Sequence, residues 1–231
     1  MAARRNLAVL VALVAMLVAQ PLLGRGNMAA RMLYDGMFAA VLLAVVFVVF
    51  RQPWERRLAF LLMLPAAGIM LAYEFLPDRL HVALEVLYHA CIVAFIGFAV
   101  GVILRGVFRK HAVRGDDVLG ALSGYLLVGV AWGNLYQVTH LLVPGSFAVD
   151  TQIAWQLQEW GARSALFNYL SFATLTSLGY NDVTSVSPLA DTLSWLEVMF
   201  GQFYMAVVVA QLVGMKLAQA LAPDNPASKS P

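Results

Sequence analysis

Residues 169–182 read YLSFATLTSLGYND, a hydroxyl-rich run that closes on glycine, tyrosine, asparagine and aspartate. It lies in a chain of 231 residues that is 61% hydrophobic and only 12% charged, with a mean hydropathy of +0.78. That is far more apolar than an ordinary soluble domain, so lipid is the expected solvent for most of the chain. A polar backbone run survives within lipid only where it is buried in protein or lines water.

Outward from this run lie six apolar stretches, at residues 7–24, 34–50, 58–76, 80–104, 118–143 and 189–218. Each approaches the roughly 20 residues that cross a hydrocarbon core. The apolar segment 165–178 is too short to cross and reads as re-entrant, entering and leaving on one side. The expected fold is therefore an all-α membrane protein with six transmembrane helices and a re-entrant helix and loop between the fifth and sixth. Residues 1–104 form a four-helix domain, 105–117 a basic linker, 118–218 the domain that carries the loop, and 219–231 a polar tail expected to be disordered. No repeat of 20 to 50 residues is visible.

Basic residues set the orientation. Arg4 and Arg5, then Arg51, Arg56 and Arg57, then Arg105, Arg109, Lys110 and Arg114 cluster at alternate ends of the spans, which places those ends and both termini in the cytoplasm and the re-entrant loop outside the plasma membrane. The first stretch also fits a secretory leader cleaved near Ala19, although Pro21 disfavours that cut. A net charge of +2, spread over short clusters, argues against nucleic acid as a partner. Cys91 is the single cysteine, has no intrachain disulfide partner and reads as packing.

Thr174, Leu175, Thr176, Ser177, Leu178, Gly179, Tyr180, Asn181 and Asp182 closely resemble the potassium-channel signature T-x-T-T-V-G-Y-G-D. The likeness runs from about residue 118 to 217; the first four spans resemble the family only in number. The resemblance implies a homotetramer whose four chains ring a selectivity filter. A cation stripped of water needs oxygen ligands in place of its hydration shell, here the carbonyls of Ser177, Leu178, Gly179 and Tyr180, with the Ser177 hydroxyl at the innermost site. Successive carbonyls face one way only when alternate residues take unusual dihedrals, and the family uses two glycines for this. Gly179 stands at the first position. Asn181 stands at the second, at the outer mouth; asparagine is the non-glycine residue that best tolerates the left-handed region.

The resemblance further implies that Thr174 and Thr176 support the filter and that Tyr169 hydrogen-bonds to Asp182 behind it. Ser164 is expected to cap a short helix whose carbonyl end, carrying partial negative charge, favours a cation in a central cavity. Gly201, twenty residues after Asn181, falls at the family's gating hinge, and is equally suited to close helix packing.

Glu197, one turn before Gly201, is either a cation- or proton-responsive group or a structural hydrogen-bond partner of the short helix. His81, Glu85 and His89 share a helix face and form either a metal or pH-sensing site or a set bonded among themselves. The fourth span, 80–104, contains no Lys or Arg, so it lacks the charges of a voltage sensor and voltage-independent gating is expected. The basic linker either couples the first four helices to the pore or anchors them. Trp155 and Trp160 read as interfacial anchors.

The resulting expectation is passive potassium conduction by a homotetramer in a lipid bilayer, with monovalent cations as the permeant ligands, no cofactor and no enzyme chemistry. The alternatives are a weakly selective sodium and potassium channel and a non-conducting modulatory subunit. A transporter or enzyme has less support: there is no H-E-x-x-H motif, glycine-bracketed nucleophile or inverted repeat.

Overall fold

The computed structural model describes residues 3–23, 28–72, 77–109, 115–179 and 182–221. Within them the chain forms seven α-helices: α1 (Ala3–Leu23), α2 (Met28–Val49), α3 (Pro53–Ala72), α4 (Asp78–Phe108), α5 (Gly115–Leu142), α6 (Trp160–Leu175) and α7 (Pro188–Leu221). A 3₁₀ turn (Ala154–Leu157) precedes α6, and two short strands, β1 (Phe147–Val149) and β2 (Val183–Ser185), flank it in sequence.

Local chemistry sets several boundaries. Pro53 opens α3, where a missing N–H costs nothing, and the Glu55 carboxylate accepts the backbone N–H groups of Arg51 (3.0 Å) and Gln52 (3.1 Å). Pro77 holds an extended residue ahead of α4. Asp116 and Asp117 sit in the first turn of α5, complementing the positive end of its dipole. Ser187 caps α7, its hydroxyl accepting the Ala190 N–H at 3.2 Å.

Five helices are long and apolar enough to cross a membrane: α1, α2, α4, α5 and α7. The stretch expected as a third span, 58–76, extends past the described residues; its described part belongs to α3, which carries Glu55, Arg56 and Arg57 near its start and does not qualify by itself. The basic linker expected at 105–117 is shorter than its charge pattern suggested. Residues 105–108 continue α4 and 115–117 begin α5, because charged residues at helix ends do not interrupt helical hydrogen bonding. Likewise α7 continues to Leu221, and residues 222–231 lie outside the described part.

The main core lies between α1, α2, α4 and α5. Val9, Leu13 and Met16 of α1, Val45 and Val46 of α2, and Phe95, Ile96 and Ala99 of α4 are buried there together with Phe50. The Phe50 ring stacks on Phe98 with centroids 4.9 Å apart and meets Phe95 edge-on at 6.1 Å. Helix α1 is tied in at both ends: Asn6 Nδ2 donates to the Asp116 carbonyl (2.9 Å) and Gln20 Oε1 accepts from Asn168 Nδ2 (2.8 Å).

The antiparallel strand pair was not expected in an all-α chain. It aligns Phe147 with Ser185 and Val149 with Val183, and the Asp150 N–H donates to the Asp182 carbonyl at 3.0 Å. Three-residue strands carry too little alternation to stand out in sequence.

Helices α5 and α6 cross at small residues. A Cβ on Gly129 would come within 2.5 Å of the Phe172 ring, so glycine here permits close approach. Gly129→Val is expected to force the helices apart and destabilise each chain by about 1–3 kcal/mol, seen as a lower melting temperature of the purified protein in detergent. Gly97→Ala, at a glycine with nothing within 4 Å, leaves it unchanged or higher.

Candidate functional site

Helix α6 has 16 residues, about 24 Å at 1.5 Å per residue, and it is embedded among longer helices. Four of its polar side chains each reach a different neighbouring helix, although Arg163 Nε and Asn168 Oδ1 are buried without a hydrogen-bond partner among the described residues. Arg163 pairs with Glu85 of α4. Ser164 Oγ donates to Gln137 Oε1 of α5 at 3.0 Å, and Asn168 bonds to Gln20 of α1. Ser171 Oγ reaches both the Gly129 carbonyl of α5 (2.7 Å) and Glu197 Oε1 of α7 (2.5 Å).

The N-terminal end of α6 differs from expectation. The helix begins at Trp160, with Glu159 ahead of it making no side-chain cap, and Ser164 lies inside the first turns. Tertiary contacts fix this start: the Trp160 ring stacks near His89 (5.6 Å) and meets Tyr88 edge-on (5.5 Å), and the Arg163 guanidinium lies 5.9 Å from the Trp160 ring centre. Trp160 is thus half-buried against aromatic neighbours, whereas Trp155 is exposed.

At its other end, α6 closes with a Schellman-type turn. The Leu178 N–H donates to the Ala173 carbonyl (2.8 Å) and the Ser177 N–H to the Thr174 carbonyl (2.9 Å), while Ser177 takes a left-handed φ of 57°. Thr176 Oγ1 bonds back to the Phe172 carbonyl at 2.6 Å. Such a cap needs one left-handed residue. Two residues on, Gly179 is left-handed as well, at φ 71°, and the cap does not require it. The loop therefore alternates left-handed residues at 177 and 179, one of them a serine where sequence reasoning had expected only glycine and asparagine to serve.

Residues 176–179 are all exposed, Leu178 at 60%. Tyr180 and Asn181 lie outside the described residues. The chain is held again at Asp182, whose Oδ2 accepts the Tyr169 hydroxyl at 3.1 Å and whose carbonyl is bound by Asp150. Across the loop, Gln202 Nε2 donates to Ser177 Oγ at 3.2 Å.

Helix α7 passes the end of α6 at Gly201, where a Cβ would sit 2.5 Å from the Leu175 carbonyl oxygen. That same oxygen accepts the Tyr125 hydroxyl at 3.3 Å. Gly201 is here a close-packing residue within an unbroken helix. Glu197 is fully buried and accepts hydrogen bonds from Ser171 and from the Tyr136 hydroxyl (2.5 Å), which links α5, α6 and α7.

Glu85 and His89 do not bond to each other. Glu85 pairs with Arg163, and His89 Nδ1 lies 2.8 Å from Asn134 Oδ1, while His81 is half-buried. Among the described residues no group of three His, Cys, Asp or Glu side chains is placed to hold a metal. Arg163, Gln20, Gln137, Asn134, Tyr136 and Ser171 were not singled out from sequence. Their one available signal was a polar residue within an apolar helix, and Ser164, Asn168 and Ser171 also fall at helical spacing.

No family model matches the chain, and neither a curated protein nor a solved structure is found similar to it.

The Arg163–Glu85 pair is about nine-tenths buried on both sides, so removing one partner strands a charge. Arg163→Met and Glu85→Leu are each expected to cost about 3–5 kcal/mol, and the double variant to recover most of that loss. Unfolding followed in detergent for the four proteins of the double-mutant cycle measures the coupling.

Proposed function

We propose that the chain is one subunit of a homotetrameric channel that passes potassium ions down their gradient, with residues 177–181 of four chains forming the ion path. The observation that carries this reading is the second left-handed residue, Gly179, following Ser177 by two. Alternation of this kind turns successive carbonyls toward one side, as a row of oxygen ligands for a dehydrated cation requires.

Other features support it. The loop follows a helix too short to cross a bilayer and is exposed in a single chain, as a strand facing a symmetry axis would be. The Tyr169–Asp182 hydrogen bond braces it from behind. Beside it, α7 leaves Trp195, Met199, Phe203, Val213 and Leu217 exposed, an apolar surface that three further chains would cover. On this reading the apolar stretch 58–76 is a sixth span, so that both termini lie on one side, and the basic clusters assign that side to the cytoplasm and the loop to the outer face of the plasma membrane. A bend at Gly201 would separate α7 from the Leu175 carbonyl, so hinge and packing uses of this glycine are coupled.

A second reading, a channel admitting sodium as well, is favoured by one residue: Asn181 puts four amide side chains at the mouth where the family has glycine.

Flux of potassium and of sodium into liposomes holding the purified protein distinguishes these. Potassium flux is expected to exceed sodium flux in the native chain. Gly179→Ala should abolish it, since a left-handed alanine costs about 1–2 kcal/mol in every chain and the cost is paid in four. Comparable sodium flux, made potassium-selective by Asn181→Gly, establishes the second reading instead. Absence of flux in the native protein refutes both.

A further inference from the structure

At the end of the bundle opposite the Trp160–Arg163 contacts, the basic clusters meet. A crevice of about 330 Å³ is lined by Asn6 of α1, Val48, Val49, Arg51 and Gln52 at the α2–α3 turn, Val102, Ile103, Arg105, Gly106 and Arg109 of α4, and Asp117 and Gly120 of α5, with others. Its composition is graded. The walls toward the middle of the bundle are apolar side chains; Arg51, Arg105 and Arg109 are exposed at the bundle's end.

The electrostatics are incomplete. Two carboxylates also line the crevice, Glu55 and Asp117. Glu55 is committed to the N–H groups of Arg51 and Gln52, and Asp117 has a partner of its own. None of the three guanidinium groups is engaged by a carboxylate among the described residues. Three unpaired guanidinium groups around a cavity repel one another, and a phosphate, with its several acceptor oxygens, is the anion whose geometry suits them.

We propose that this crevice binds the phosphate-bearing headgroup of an anionic phospholipid, with Arg51, Arg105 and Arg109 on the phosphate and Val48, Val49, Val102 and Ile103 against the carbon chain next to it. The apolar wall distinguishes a lipid from a soluble phosphate, which has nothing to place there. Basic pockets between helices on the cytoplasmic side are suited to such headgroups. The occupant would tie the α2–α3 turn and the end of α4 to the start of α5, fastening the first four helices to those that carry the loop. This inference rests on the membrane reading and not on conduction.

The test uses the purified full chain in micelles, with phosphatidylglycerol, phosphatidylcholine or inorganic phosphate added, and native mass spectrometry to count bound ligand. Phosphatidylglycerol is expected to be retained in preference to phosphatidylcholine, with inorganic phosphate not retained. Arg51→Gln, Arg105→Gln and Arg109→Gln should each lower that preference about fivefold, and the triple variant should bring it to parity. Arg57→Gln with Lys216→Gln removes as many charges as two of these from outside the crevice and should leave it unchanged.

Equal retention of the two lipids by the native chain overturns the proposal, as does a preference that survives in the triple variant or falls equally in the control. Retention of inorganic phosphate alone reassigns the crevice to a soluble anion and overturns the lipid. Because the three side chains are exposed, the variants should melt as the native protein does in phosphatidylcholine; if the triple variant does not fold, the three single variants decide by the same criterion.

Discussion

A short helix surrounded by apolar neighbours must place every polar side chain it carries, and in α6 that requirement organises the molecule. Arg163, Ser164, Asn168 and Ser171 reach α4, α5, α1 and α7 respectively. Water is scarce at such depth, so an unmade bond costs more than a made one contributes. Four helices are thereby held in register around one that could not cross a membrane by its own length.

The loop inherits its position from this arrangement. It leaves α6 through a helix cap, which sets its first direction, and is caught at Asp182 by a tyrosine from α6 and by the strand pair. Between those anchors the backbone alternates its handedness at Ser177 and Gly179. Glu197 performs the corresponding task for α7, accepting from a tyrosine of α5 and a serine of α6. A carboxylate with two hydroxyl donors at full burial links three helices near the point where Gly201 lets α7 touch the end of α6.

The two ends of the bundle differ in kind. Around α6 the charged and imidazole side chains have specific partners, Arg163 with Glu85 and His89 with Asn134, and lie against the Trp160 ring. At the opposite end, Arg51, Arg105 and Arg109 line a crevice without a carboxylate partner among the described residues. Paired charges stiffen a structure; unpaired ones of the same sign leave an attractive site for an anion.

The apolar runs of the sequence determined that long helices would form, and the hydroxyl-rich, glycine-containing run at 169–182 marked out the loop, because helix length and backbone freedom are local properties. The Tyr169–Asp182 hydrogen bond, formed between partners 13 residues apart, was legible through the resemblance of residues 174–182 to the potassium-channel signature. What only the tertiary structure decided is which polar groups meet. Glu85 and Arg163 are 78 residues apart, and Gln20 and Asn168 are 148 apart, so no periodicity links them. The start of α6 at Trp160 rather than Ser164 and the strand pair follow from the same cause. Each is fixed by contacts between segments distant in the chain, and local propensity does not encode those.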